Sequence, residues 1–294
     1  MIKMSELSFF RYKDKVSAYL DAFLPEDGTE RDGLTRSMRY SLLAGGKRIR
    51  PLLALEFCAM LGGDVDKALP AACALEMVHN YSLIHDDLPC MDDDELRHGR
   101  PSNHVVFGEC TATLAGDALQ ALAFSAVCES EIPAEDALRC VKILARAAGY
   151  DGMCRGQYLD MIGEGKVLTA EQLDDINLNK TGAMIAASCM IGAACAGADD
   201  AAVALAERFG YQVGLAFQIR DDILDVTATE AELGKPIGSD AGENKNTYMA
   251  IFGLEKCEAE VRRLTDEAVR ILQDNFTHYE VIEDFARFME KRTY

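Results

Sequence analysis

Two strongly apolar stretches of this chain each run directly into a cluster of aspartates, so its fold must bury the stretches and bring the carboxylates somewhere useful. HNYSLIH, residues 79–85, leads into DDLPCMDDD from Asp86, and GYQVGLAFQIR, residues 210–220, leads into DDILD from Asp221. Read as helices facing each other, the two would project their carboxylates into one cavity. Asp221 and Asp225 stand at i and i+4, on one helix face about one turn apart, and repel each other unless a cation lies between them. Pro89 cannot continue a hydrogen-bond ladder, so Asp92 to Asp94 follow a kink that lets Asp92 fold back toward Asp86.

The rest of the chain is just as helical in character. Seven prolines interrupt 294 residues, and the stretches between them are rich in strong helix formers. Apolar residues recur at three and four spacing, as in Leu52, Leu55, Cys58 and Ala59, while period-two alternation is scarce. Breaks at Gly62-Gly63, Pro89, Gly99 to Pro101, Pro133, Gly163 to Gly165, Gly197 and Gly234 to Gly242 separate about ten helices. Thr169 with Gln172 three residues on reads as a capping box, and Asp64 as the cap of Val65 to Leu75. Without a long linker, the expectation is an all-α fold: residues 1–294 as a single domain, a helical bundle around a deep central cavity. Thr181 to Ala198 carries no charge over 18 residues, near bilayer-spanning length. Its Ala, Gly, Ser and Cys content predicts a closely packed core helix instead, and no integral membrane segment is expected.

Forty-nine acidic residues against thirty basic give a net charge of -19, which repels nucleic acid and anionic membranes. An anionic ligand must therefore be held by local basic groups, and these are few: Lys47, Arg48 and Arg50 in GGKRIRP, Arg97 and Arg100 after the first cluster, Lys235 and Lys245 late in the chain. The ten cysteines contain no CxxC and read as reduced, buried, small apolar residues. The N-terminus MIKMSELSFFRYKDKVSAYL is charged throughout, unlike a secretory leader, and a cytoplasmic location is expected.

An isolated acidic run is usually a solvated face. Two runs at the ends of apolar helices, with separate basic elements elsewhere, point instead to few hard oxygen ligands beside phosphate-holding cations. That combination suits magnesium bridging a substrate diphosphate better than a calcium cage. GGKRIRP, EMVHNYSLIHDDLPCMDDDELRHGRP, AGDAL, GQYLD, KTGA, FQIRDDILD and GKPIGSDAGENK, in this order, resemble the bacterial short-chain trans-prenyl diphosphate synthases, nearest the farnesyl diphosphate synthase type. The resemblance spans nearly the whole chain, and its paired DDxxxxD and FQxxDDxxD motifs are the specific part.

That resemblance implies a homodimeric prenyltransferase joining isopentenyl diphosphate to an allylic diphosphate. It implies three magnesium ions, two bound by Asp86 and Asp92 and a third by Asp221, with Asp87, Asp222 and Asp225 behind them. Arg97, Lys180, Lys235 and Lys245 would hold the allylic diphosphate; Lys47, Arg50 and His79 would hold isopentenyl diphosphate. Gln157, Thr181 and Gln218 resemble positions whose oxygens face the developing carbocation, with Asp160 supporting Gln157. On a helical wheel His79, Ser82, Leu83 and Asp86 share one face, placing His79 about 10 Å along the axis from Asp86. Tyr81 matches the aromatic position that limits product length in farnesyl-type enzymes, although the wheel sets it about 140° from Asp86. The departure from the pattern is His98, which stands where the family has a second arginine for isopentenyl diphosphate. Rival readings are a geranylgeranyl or mixed-product synthase, a terpene cyclase, and a noncatalytic subunit of a heteromeric synthase. Asp117, the one charge in TATLAGDALQALAF, stays unexplained and is assigned no site.

Overall fold

The structure, a computed structural model, describes residues 7–25, 28–29, 32–227 and 246–292. Helices α1 (Lys13–Phe23), α2 (Asp32–Leu42), α3 (Ile49–Met60) and α4 (Val65–Asp86) lead to the first aspartate cluster. They are followed by α5 (Asn103–Phe107), α6 (Glu109–Cys128), α7 (Ala134–Ala148), α8 (Met153–Gly163) and α9 (Ala170–Asn177). Then come α10 (Ala183–Cys195), α11 (Asp200–Thr227), α12 (Tyr248–Phe252), α13 (Leu254–Asn275) and α14 (Glu280–Lys291). Twelve of these have eight residues or more, slightly above the expected ten, because the chain also breaks at Gly108, at Gly149 to Gly152 and at Gly253.

Helix starts follow local chemistry. The Asp64 carboxylate accepts from the Asp66 amide at 3.0 Å and opens α4. The helix does not stop near Leu75 but runs to Asp86 with Pro70 inside its second turn. Thr169 and Gln172 form the anticipated capping box at α9, with bonds of 2.9 and 3.3 Å.

The core is built around α10, packed against α3, α7 and α11. From Ala183 to Cys195 every residue but Met190 is buried, so the uncharged segment is a core helix whose small side chains admit its neighbours closely. Among the described residues α6 is the one helix long and apolar enough to cross a membrane by length and composition, with 39% of its apolar window buried. It packs against α2, α4, α5 and α7. A second apolar cluster, including Leu173, Ile219, Ile223, Tyr248 and Leu264, forms where α9, α11, α12 and α13 meet.

One expectation needs correction. Cys58, Cys73, Cys140, Cys189, Cys195 and Cys257 are buried, but Cys90, Cys110, Cys128 and Cys154 are exposed; the last of these faces a cavity rather than the core. A small antiparallel pair also interrupts the helices, β1 (Leu96–Arg97) with β2 (Arg100–Pro101). Its turn is His98-Gly99, with φ of 53° and 72°, the two consecutive left-handed residues that a tight two-residue hairpin requires.

Candidate active site

A cavity of about 620 Å³ opens between α4, α8 and the segment before α10. Its lining is of two kinds: Arg50, His79, Asp86, Lys180 and Thr181 are charged or polar, whereas Met91, Met153, Met161 and Ile162 are apolar. His79, Ser82, Leu83 and Asp86 all face it, as the wheel indicated. So does Tyr81, which the wheel did not place there.

The first aspartate cluster turns back on itself. The Asp92 amide donates to the Asp86 carbonyl at 2.9 Å, the return that Pro89 was expected to allow. Burial raises the Asp86 carboxyl to about 6; the Lys180 ammonium opposes this, and the Asp92 carboxylate adds to it. Asp87 is buried and takes a different partner: Arg97 donates to it through Nε at 2.8 Å and through Nη2, and reaches Asp94 at 3.2 Å. The Arg97 guanidinium is thus held by carboxylates of its own cluster.

The second cluster lies beside the end of the chain. Arg292 pairs with Asp221 and sits 4.3 Å over the Phe217 ring. Burial lowers the pKa of Lys47, the Arg292 charge lowers it further, and Asp221 opposes both, which puts GGKRIRP and the second cluster side by side. Asp222 accepts from Gln218 at 3.3 Å and from the Tyr248 amide at 2.8 Å, tying α11 to the start of α12. Asp225 is buried on the same helix.

Between the clusters, Leu178–Gly182 forms one π-helical turn rather than α-helix. Such turns widen the backbone and often mark functional sites. Here the turn carries Lys180 and Thr181. Thr181 donates to Gln218 at 3.1 Å, and Lys180 lies within electrostatic reach of Asp86. The turn is thus linked electrostatically to Asp86 on one side and by hydrogen bonds through Gln218 to Asp222 on the other. Gly156 makes the turn possible, because a Cβ there would collide with the Lys180 backbone nitrogen. This close approach brings Asp160, one turn further along α8, to Lys180 at 2.7 Å. Asp160 accordingly holds Lys180, not Gln157 as expected.

On the other wall, Arg48 and Arg50 point apart. Arg48 adopts left-handed backbone (φ 55°), turns away from the cavity, and donates to buried Glu76 at 2.6 Å and to the Leu42 carbonyl at 2.7 Å. Arg50 lines the cavity, and its buried Nε has no hydrogen-bond partner among the described residues; the same holds for both amide atoms of Gln157. Burial, then the Arg50 charge, holds His79 well below the usual imidazole range. Buried polar groups without partners are costly and uncommon, so these orphans imply an anionic or polar ligand. Among the described residues no three His, Cys, Asp or Glu side chains form a closed metal cage. Paired carboxylates that leave other positions open are what magnesium, which keeps waters and phosphate oxygens, accepts.

The model of the polyprenyl synthetase family matches residues 31–288. The chain belongs to the polyprenyl synthetase family, whose members are trans-prenyltransferases. It is 49% identical over 244 residues to the farnesyl diphosphate synthase of Geobacillus stearothermophilus, covering 82% of each chain. It is also 48% identical over 239 residues to the large subunit 1 of a heterodimeric geranylgeranyl pyrophosphate synthase of Arabidopsis thaliana, covering 79% of this chain and 64% of that one. The fold matches a Helicobacter pylori geranyltransferase, solved with magnesium and isoprenyl diphosphate, at a TM-score of 0.85 and 31% identity, covering 98% of this chain and 97% of that one.

In this polyprenyl synthetase the cavity gathers Arg50, His79, Tyr81, Asp86, Gln157, Lys180 and Thr181, with Gln218 hydrogen-bonded at its edge. Lys235 and Lys245 lie outside the described residues. His98 stands exposed in the hairpin turn, its pKa lowered by partial desolvation and then by Arg97. Asp117 sits 3.9 Å from the His85 ring, so it faces the α4 side of the site. Sequence reasoning missed the Arg292–Asp221 pair, for which spacing offers no signal. It also passed over Cys154, which stands two residues before GQYLD.

Proposed function

We propose that this protein condenses isopentenyl diphosphate with dimethylallyl or geranyl diphosphate to give farnesyl diphosphate. The carrying observation is one cavity with two kinds of lining, cations and a carboxylate for diphosphate and apolar side chains for a prenyl chain, with Tyr81 in its wall. The allylic carbon–oxygen bond breaks with its electron pair leaving on diphosphate. The isopentenyl double bond then attacks the allylic carbon, and a proton passes to the departing diphosphate. Lys180, oriented by Asp160, and Arg97 with Lys235 and Lys245 receive the allylic diphosphate. Lys47, Arg50 and His79 receive isopentenyl diphosphate, which gives Arg50 Nε the acceptor it lacks. Thr181, Gln218 and Gln157 turn oxygens toward the positive carbon without capturing it. Asp86, Asp92 and Asp221 are the residues to hold magnesium, which when bound neutralises charge building on the leaving group.

A farnesyl product is favoured over a geranylgeranyl one because Tyr81 is buried in the cavity wall with its ring still reaching the lining. A homodimer is what the sequence motifs imply, and the ten free cysteines suit a reducing, cytoplasmic setting. Incubating the purified chain with isopentenyl diphosphate and dimethylallyl or geranyl diphosphate, with magnesium and then with chelator, tests the reading. Chromatography of the dephosphorylated products should give a fifteen-carbon alcohol that disappears with chelator. A twenty-carbon main product would replace the farnesyl reading, and no condensation by the chain alone would remove it.

A further inference from the structure

Tyr81 can limit a growing chain only if its ring stays put, and the structure holds that ring from three directions. Its hydroxyl lies 3.5 Å from the Cys154 thiol of α8, so the phenol bridges α4 to the opposite wall. The amide of Gln120, on α6, also approaches the phenol. The His85 ring packs edge-on against Tyr81 with centroids 5.8 Å apart, and its Nε2 lies 3.0 Å from the Thr113 carbonyl. His85 fits there because residue 116 is glycine; a Cβ at that position would collide with the imidazole.

Of these contacts the thiol alone belongs to the wall that faces α4 across the cavity. Burial keeps the phenol protonated, leaving it free to donate to the sulfur, which is a weak acceptor. A tyrosine on a helix has few staggered χ1 wells, and a tether at the hydroxyl end selects among them. We propose that Cys154 is a second determinant of product length, a positioning residue whose thiol pins the Tyr81 ring across the prenyl cavity. The proposal rests on the reading of this cavity as one that holds a growing prenyl chain with Tyr81 as its stop. It adds that the stop is a bridge between two helices rather than one side chain.

The test compares products of wild type, Cys154→Ala, Cys154→Ser, Tyr81→Phe and Tyr81→Ala, made from geranyl and isopentenyl diphosphates with magnesium and read at equal total turnover. Cys154→Ala should raise the ratio of twenty- to fifteen-carbon product roughly fivefold, the scale of one lost hydrogen bond. Tyr81→Phe, which loses the Gln120 contact together with the thiol, should lengthen products at least as much, and Tyr81→Phe combined with Cys154→Ala should do no more than Tyr81→Phe alone, since the thiol then has no hydroxyl to hold. Cys154→Ser, which keeps a hydrogen-bonding group, should stay near wild type. Unchanged products in Cys154→Ala beside longer products in Tyr81→Ala would overturn the role of the thiol while leaving the tyrosine stop in place. Equal lengthening by Cys154→Ala and Cys154→Ser with none by Tyr81→Phe would also overturn it, because volume and not the tether would then be at work. Unchanged products in Tyr81→Ala would sink the stop itself and the proposal with it.

Discussion

His98 occupies a left-handed position in a two-residue turn, beside Arg97 and within electrostatic range of His79. Partial desolvation and Arg97 lower its pKa below the ordinary 6.5, so near neutral pH it offers diphosphate a neutral ring. His98→Arg should therefore lower the Michaelis constant for isopentenyl diphosphate at pH 8. The advantage should narrow in acid, once the pH falls below the lowered pKa of the wild-type imidazole and it gains its own proton; equal constants across the acid and alkaline range would rule out a charge role. Arg48 shows what residue type alone hides. Lys47, Arg48 and Arg50 look alike in the sequence, yet left-handed backbone turns Arg48 onto Glu76, both almost wholly buried. Arg48→Met leaves that carboxylate buried without its guanidinium, with only a long 3.5 Å bond from Asn80, and should cost about 3 kcal/mol in urea unfolding, while Arg48→Met with Glu76→Met should recover most of it. No loss in the single variant would mean that Glu76 finds another partner or a proton.

At the scale of elements, the long helices were legible because apolar spacing and capping residues act locally; Asp64 and Thr169 cap where the sequence said they would. The wheel around Asp86 placed His79 and Ser82 correctly but set Tyr81 aside. It failed because α4 is buried over most of its circumference, so residues well off the Asp86 direction still reach the cavity. The π-helical turn carrying Lys180 and Thr181 was not legible, since it depends on α8 pressing Gly156 against it. A methyl group there must push the two backbones apart and carry Lys180 and its Asp160 contact with it. Gly156→Ala should lower kcat on the order of a hundredfold, the usual penalty for misplacing a site by about 1 Å. Circular dichroism should stay helical, and wild-type turnover in the variant would show that the turn's position is unimportant to the chemistry.

Across the whole molecule, the two aspartate clusters belong to helices far apart in sequence, and the second lies where the C-terminal segment meets α11. Arg220 donates to the Arg292 carbonyl at 2.9 and 2.7 Å, fixing the backbone from which the Arg292 side chain pairs with Asp221. No pattern in the sequence announces this, because one arginine near a chain end looks like any solvated charge. On the proposed function the cations take oxygen atoms from a diphosphate as well as from the protein, in keeping with the lack of a closed carboxylate cage among the described residues. Magnesium alone should then raise the melting temperature little. Magnesium with inorganic diphosphate at a hundredfold excess over its dissociation constant should add about 2.7 kcal/mol, or roughly 4 °C for a chain of this size. In Arg292→Gln the competing guanidinium is gone from Asp221, and a larger share of the shift should come with magnesium alone. A full shift from magnesium alone in the wild type would mean that the protein holds a preformed cage, and the division of labour between the clusters and the substrate would have to be abandoned.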